Sequence, residues 1–63
     1  MTRNLKSFRA KYGLTQMQMA EKLDITTATY SSKENGKKQF TLEEAKKIAE
    51  IFNTSIDNIF FSD

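Results

Sequence analysis

A chain of 63 residues without a cysteine or a histidine has to be held together by packing, helix caps or a partner subunit. Disulfides, zinc fingers, histidine bases and thiol nucleophiles are excluded together, and we expect neither a metal nor another cofactor. So short a chain buries only about 60% of its unfolded surface, which leaves room for one modest core. The sequence therefore predicts a single domain, residues 1–63, that is not an enzyme and has no small-molecule substrate.

The amino terminus and the hydropathy pattern indicate where the chain resides. No apolar run approaches the roughly 18 residues of a membrane span, and Met1-Thr2-Arg3-Asn4 lacks the apolar stretch of a signal peptide. We expect no membrane partner and a cytoplasmic location.

Charge is distributed unevenly along the chain. Residues 1–20 carry four basic side chains and no acidic one, whereas residues 39–63 carry two lysines against five acids. This asymmetry would turn the amino-terminal half toward phosphates. A solvated mixture of charges explains the net charge of +2 equally well.

The first half of the chain contains residues that typically start and end short helices. Leu5, Phe8 and Tyr12 recur at helical spacing, with Asn4 placed to cap the start and Gly13 to close the end. A second helix of roughly eight residues follows, ending at Leu23, because Thr15 and Gln18 form a Thr-x-x-Gln capping box. Asparagine and glycine at residues 35–36 tolerate positive φ and would end a third helix.

That third helix, predicted from Thr27 to Glu34 with Thr26 as its cap, has little to bury. Ala28 and Tyr30 are its only apolar side chains, and small hydroxyl residues fill much of the rest. A helix of this composition is either marginal or shaped for a contact outside the chain.

The second half predicts two more helices. Thr41 and Glu44 form another capping box, and the apolar residues that follow at helical spacing are Leu42, Ala45, Ile48, Ala49 and Phe52. This fourth helix should end near Asn53, and Ser55 can cap a final short turn. The fold class is thus all-α, with five helices.

Two short helices joined by a turn of about four residues, at about residues 15–34, have helix-turn-helix spacing. In such a unit the second helix enters a DNA major groove about 12 Å wide, while the first lies across the backbone.

The residues make this spacing more specific. Gly13-Leu14-Thr15-Gln16, Met19-Ala20, Ile25 and the run from Tyr30 to Gly36 closely resemble the lambda/434-repressor family (Cro/C1-type, XRE), in a phage-type form. The likeness continues through Thr41–Ala49 and Ser55–Phe60, and so covers about residues 4–60. The resemblance implies a DNA-binding regulator.

It also implies a DNA contact surface. The family's pattern gives phosphate contacts to the start of helix two, to the helix-three cap and to the side chains and backbone of the following loop. Base contacts come from helix three, whose methyls and hydroxyls suit base edges. Lys33 departs from the family's pattern, which often has an aliphatic residue at this position; its stem can lie on the core while its ammonium reaches solvent or DNA, which would add a cation to the base-reading surface. Each of these could instead be a solvated polar residue. The residues concerned are Gln16, Thr26, Thr27, Ala28, Ser31, Ser32, Lys33, Asn35, Lys37 and Lys38.

The resemblance implies an ion pair, and the apolar residues near the carboxy terminus predict an interface. Arg9 and Glu34 match an ion pair that ties helix one to the end of helix three. The carboxy-terminal residues Ile56, Ile59, Phe60 and Phe61 cannot all be covered by so small a core, and we expect them to form the interface of a homodimer, at least on DNA.

The expected function is that of a sequence-specific transcription regulator on an operator, such as a repressor or Cro-like protein of a phage or mobile element acting at the nucleoid of a bacterial host. An antitoxin, or another module that acts mainly through protein contacts, is the alternative, because exposed aromatics often mark an interface. Glu34, Glu43 and Glu44 lack a partner base, which argues against an enzyme.

Overall fold

Capping residues set the limits of the helices in the computed structural model, which describes residues 3–61. Over that range the chain forms five helices and no strand. They are α1 (Arg3–Lys11), α2 (Gln16–Leu23), α3 (Thr27–Glu34), α4 (Leu42–Ile51) and one π-helical turn, which we label α5 (Asp57–Phe61). The expected all-α architecture is confirmed. The expected single domain also includes Met1, Thr2, Ser62 and Asp63, which lie outside the described residues.

Both capping boxes are present. Thr15 Oγ1 accepts a hydrogen bond of 3.1 Å from the Gln18 backbone N–H, and Gln18 Oε1 accepts one of 2.8 Å from the Thr15 N–H. Thr41 and Glu44 exchange the same two bonds at 3.1 and 2.9 Å. Each box satisfies donors that the first turn of a helix otherwise leaves unpaired.

The turns use left-handed residues. Gly13 and Gly36 have φ of 67° and 84°, and Asp24, which ends α2, adopts 59°. Asn35 keeps a φ of −85°, so Gly36 alone provides the left-handed residue after α3. Asn53 also turns left-handed after α4, at 51°.

The expected cap of α1 is wrong. The helix begins at Arg3, which places Asn4 inside its first turn. Asn4 Nδ2 instead donates a 3.0 Å hydrogen bond to the backbone oxygen of Asn58. A residue expected to start α1 therefore ties α1 to α5.

The core lies between α1, α2, α4 and α5, with one aromatic from α3. Its buried members are Leu5, Met19, Ala20, Leu23, Tyr30, Ile48, Ala49, Phe52 and Ile59. Phe40, from the connection before α4, has its ring 5.9 Å from that of Tyr30 and 5.6 Å from that of Phe60. From Arg3 to Phe61, no helix is long and apolar enough to cross a membrane.

Candidate nucleic-acid interface

The outer face of α3 carries short side chains. Thr27 and Ala28, in its first turn, are exposed, and Ser31 and Ser32 are partly exposed one turn later. Thr26 caps the helix, since its Oγ1 accepts a 3.1 Å hydrogen bond from the Thr29 N–H. This face of α3 therefore presents hydroxyl and methyl groups to solvent.

The inner face of α3 is fixed by one carboxylate. Glu34 is fully buried and accepts hydrogen bonds from Arg9 Nε (2.9 Å) and Nη2 (3.2 Å), Gln16 Nε2 (3.0 Å) and the Tyr30 hydroxyl (2.7 Å). Arg9 Nη1 also donates to the Leu14 backbone oxygen at 3.0 Å. The expected Arg9–Glu34 pair is present, and the cluster joins α1, α2 and α3.

The cluster also sets the protonation of Glu34. Burial alone would raise the pKa of its carboxyl, but hydrogen bonds from Arg9, Gln16 and Tyr30, together with the Arg9 charge, hold that pKa below its ordinary value. Burial and the neighbouring carboxylate raise the pKa of the Tyr30 hydroxyl. The ionised carboxylate and the neutral phenol are therefore the stable forms in the fold.

Acid should weaken the fold through Glu34. Because the folded pKa lies below the unfolded value of 4.5, the stabilisation is complete above that value and is lost as pH falls through the folded pKa. We expect the free energy of unfolding, measured with urea between about pH 6 and pH 3, to fall less steeply in Glu34→Gln than in the original chain. Glu43→Gln, which removes an exposed carboxylate from α4, is the control variant. Equal slopes in all three proteins would contradict the assignment.

The structure corrects the placement of Lys33. Its Nζ lies 2.6 and 2.8 Å from the two carboxylate oxygens of Glu44, at the start of α4, and does not extend toward the exposed face of α3. Only 12% of the Lys33 side chain is exposed, and its ammonium has a partner inside the chain. Glu44 is itself affected: burial would raise the pKa of its carboxyl, whereas bonds from Lys33 and Thr41 lower it below its ordinary value.

The backbone donors of the loop after α3 were expected to contact phosphate, but they bond to α3. The backbone N–H groups of Lys37 and Lys38 both donate to the Ser32 oxygen, at 2.9 and 3.3 Å, and those of Asn35 and Gly36 donate to Ser31 and Lys33. These N–H groups complete the end of α3 and are not presented to a ligand. The Lys37 and Lys38 side chains are exposed, and Asn35 Nδ2 donates to Ser31 Oγ at 3.3 Å.

The expected dimer residues divide into three groups. Ile59 is completely buried, which removes it from any interface, because a small core closes over it. Ile56 and Phe60 are partly buried, and Phe61 is 76% exposed. Leu42, which shares the helical spacing of the buried Ala45 and Ile48, is 67% exposed. An open groove of about 590 Å³ lies here, with a largely apolar lining that includes Phe40, Leu42, Ala45, Ile56, Phe60 and Phe61.

Three residues that contribute contacts at this site were not identified from the sequence. The Tyr30 hydroxyl completes the Glu34 cluster, Glu44 binds Lys33, and Leu42 faces the groove. The spacing of Tyr30 and Glu34, four residues apart on one helix, is a signal that could have revealed the first contact. Leu42 stands in the first helical position after a capping threonine, where a side chain need not face the core.

Comparisons with known proteins find helix-turn-helix relatives. A family model described as helix-turn-helix matches residues 5–59. An uncharacterized HTH-type transcriptional regulator of Archaeoglobus fulgidus is 40% identical over 63 residues, covering 100% of this chain and 90% of that protein. A second from the same organism is 38% identical over 63 residues (100% and 89%), and one from Methanocaldococcus jannaschii is 40% identical over 60 residues (95% and 91%). No solved structure matches at a significant level.

Proposed function

Because this chain belongs to the Cro/C1-type helix-turn-helix family of transcriptional regulators, we propose that it binds a specific double-stranded DNA operator with α3 in the major groove. The repressor or Cro-like role in a phage or mobile element, expected from the sequence, is part of this proposal. A location at the nucleoid would follow from operator binding.

One observation carries the proposal. Only Tyr30 and Glu34 of α3 are buried, and Glu34 is held by donors from two other helices and from its own. The helix is thus firmly oriented while its opposite face presents small polar and methyl groups without a partner element packed over Thr27 and Ala28. A rigid, exposed helix of this kind is what major-groove recognition requires.

We assign base contacts to Thr27, Ala28, Ser31 and Ser32. Their hydroxyls can donate to or accept from base edges, and their methyls can contact the thymine C5-methyl. Since a single hydroxyl forms no bidentate pair with a base, groove shape and bridging water would supply much of the specificity. Thr26 and Asn35 cap the two ends of this helix. We propose that they contact phosphates of the DNA backbone.

Phosphate contacts are assigned to side chains. Gln16 uses one amide N–H on Glu34 and has a second to offer. Lys37 and Lys38 have exposed ammonium groups, whereas their backbone N–H groups are occupied by Ser32. The electrostatic part of binding should therefore depend on these two lysine side chains.

Lysine and α3 substitutions should have separable effects. Lys37→Ala or Lys38→Ala should weaken binding to all duplexes alike and reduce the slope of log affinity against log salt by about one unit each. Thr27→Ala and Ser32→Ala should change the preferred bases and leave that slope unchanged. Selection from a random duplex library, followed by salt titrations on the selected operator, measures both. An unchanged base preference in Thr27→Ala would place the recognition surface elsewhere.

We also propose a homodimer on DNA. The groove beside Phe40 is apolar, and Leu42 and Phe61 expose most of their surface at its edge. Such a patch is costly to leave in water and suits a self-complementary contact between two copies. Ile56 and Phe60 would contribute from its floor, whereas Ile59 would not.

The same groove favours the alternative function, an antitoxin or regulatory module that binds another protein. A salt-sensitive shift of one operator, with no protein partner retained on purification, supports the DNA regulator. Stoichiometric co-purification of a second protein that abolishes DNA binding would support the alternative.

A further inference from the structure

An ion pair connects the last turn of α3 to the first turn of α4. Lys33 Nζ contacts both oxygens of Glu44, and the two side chains are only 12% and 13% exposed. So little exposure limits screening by water and salt, which weakens most surface ion pairs. The pair therefore acts as a strong link across residues 35–41.

One carboxylate oxygen of Glu44 accepts hydrogen bonds both from α3 and from the residue that caps α4. Glu44 Oε1 accepts the Lys33 ammonium at 2.6 Å and the Thr41 backbone N–H at 2.9 Å. The latter bond belongs to the capping box that begins α4. The cap of α4 and the end of α3 thus share one anchor atom.

The connection between these helices is held at both ends. At its start, the backbone N–H groups of Lys37 and Lys38 donate to Ser32 in α3. At its end, Thr41 is fixed by Glu44. Because Lys33 joins the two ends, the exposed lysines lie on a short connection with little freedom to shift.

We propose that Lys33 and Glu44 are positioning residues whose ion pair fixes the recognition helix and the Lys37–Lys38 connection relative to α4. This rests on the proposed DNA binding and deepens it, since a half-site would be bound by a unit whose orientation this pair sets. α4 also carries Leu42, at the proposed dimer contact. The pair thus connects the DNA-binding face to the face that would meet the second copy.

The sharpest test is a double substitution that keeps the net charge. Lys33→Met with Glu44→Gln removes one positive and one negative charge, so the net charge of +2 is unchanged. Glutamine also preserves the capping box, since Gln18 plays the same part beside Thr15. We expect affinity for the selected operator to fall about tenfold, within the range of coupling energies between contacting residues. The salt slope should stay the same. Affinity is measured at a temperature where circular dichroism shows both proteins fully folded.

Single variants separate positioning from charge. Glu44→Gln should weaken binding, whereas Glu43→Gln, which removes the same charge from the same turn, should change affinity by less than about twofold because an exposed charge is screened. Lys33→Arg keeps the pair and should retain the original affinity.

Two outcomes would overturn the inference while leaving DNA binding in place. Wild-type affinity in the double variant would show that the pair acts only on stability. Tighter binding and a steeper salt dependence in Glu44→Gln would show that Lys33 is a DNA cation masked by Glu44. If the unaltered chain bound no duplex, the proposed function itself would fail, and this inference with it.

Discussion

Replacing Arg9 with methionine is expected to lower the free energy of unfolding by about 3–5 kcal/mol, the cost of leaving a buried charge without its partner. Glu34 is fully buried, and Arg9 supplies two of its hydrogen bonds and its opposite charge. Gln16 and Tyr30, which also donate hydrogen bonds to this carboxylate, are neutral and cannot replace the Arg9 charge. A domain of 63 residues is stable by only about 3–9 kcal/mol, so this substitution should remove roughly a third or more of the free energy of unfolding.

The controls use the same helix and the same carboxylate. Lys11→Met removes an exposed positive charge from α1 and should change the free energy of unfolding by no more than about 0.5 kcal/mol. Adding Glu34→Gln to Arg9→Met should recover part of the loss, because no charge is then buried alone. Urea titrations followed by circular dichroism measure all three. A loss in Arg9→Met no larger than in Lys11→Met would show that the cluster is not a principal support of the fold.

Changing the distance between operator half-sites is expected to produce the largest effect on DNA binding. Symmetric copies with α3 in successive major grooves need half-sites about 34 Å, or about 10 base pairs, apart on one face of the duplex. The described chain measures 25 × 23 × 18 Å, so a pair of copies spans such a site. Inserting about five base pairs turns one half-site to the opposite face, and cooperative affinity should fall by about a hundredfold or more. An insertion of about ten base pairs should partly restore it.

The dimer contact can be tested on the same duplexes. Phe61→Ser alters an exposed side chain and should reduce cooperativity on the full operator while leaving affinity for a single half-site unchanged. The single half-site is thus an internal control for folding and for base contacts. Equal affinity at every spacing, with one protein bound per operator, would show that the chain acts as a monomer.

Local chemistry made the helices predictable. The two capping boxes, Thr15 with Gln18 and Thr41 with Glu44, predict where helices start. A short polar side chain followed three residues later by an acid or amide satisfies backbone donors without help from the rest of the fold. Asn4 is also a residue type that often caps helices, but it has no such role, since α1 begins at Arg3 and the Asn4 amide donates to the Asn58 backbone oxygen. A cap depends on local sequence, whereas a contact 54 residues away depends on tertiary packing.

Side-chain direction explains most of what the sequence did not reveal. A lysine near the end of α3 can extend toward DNA or toward α4, and only the position of Glu44 decides between them. Likewise, Ile59 and Phe61 were both expected at the dimer interface because a small core could not cover all the carboxy-terminal apolar residues, although α5 buries the first and exposes the second. The Arg9–Glu34 pair was foreseen through family resemblance, but its coupling to Tyr30 depends on where one hydroxyl points.

The small share that α3 takes in the core has an evolutionary consequence. Of the eight residues from Thr27 to Glu34, only Tyr30 and Glu34 are buried, so exposed positions such as Thr27 and Ala28 can mutate at little cost to folding. Substitutions that change the DNA sequence recognised therefore need no compensating mutations to preserve stability. Descendants of such a gene can thus diverge in the sites they recognise while inheriting the same scaffold.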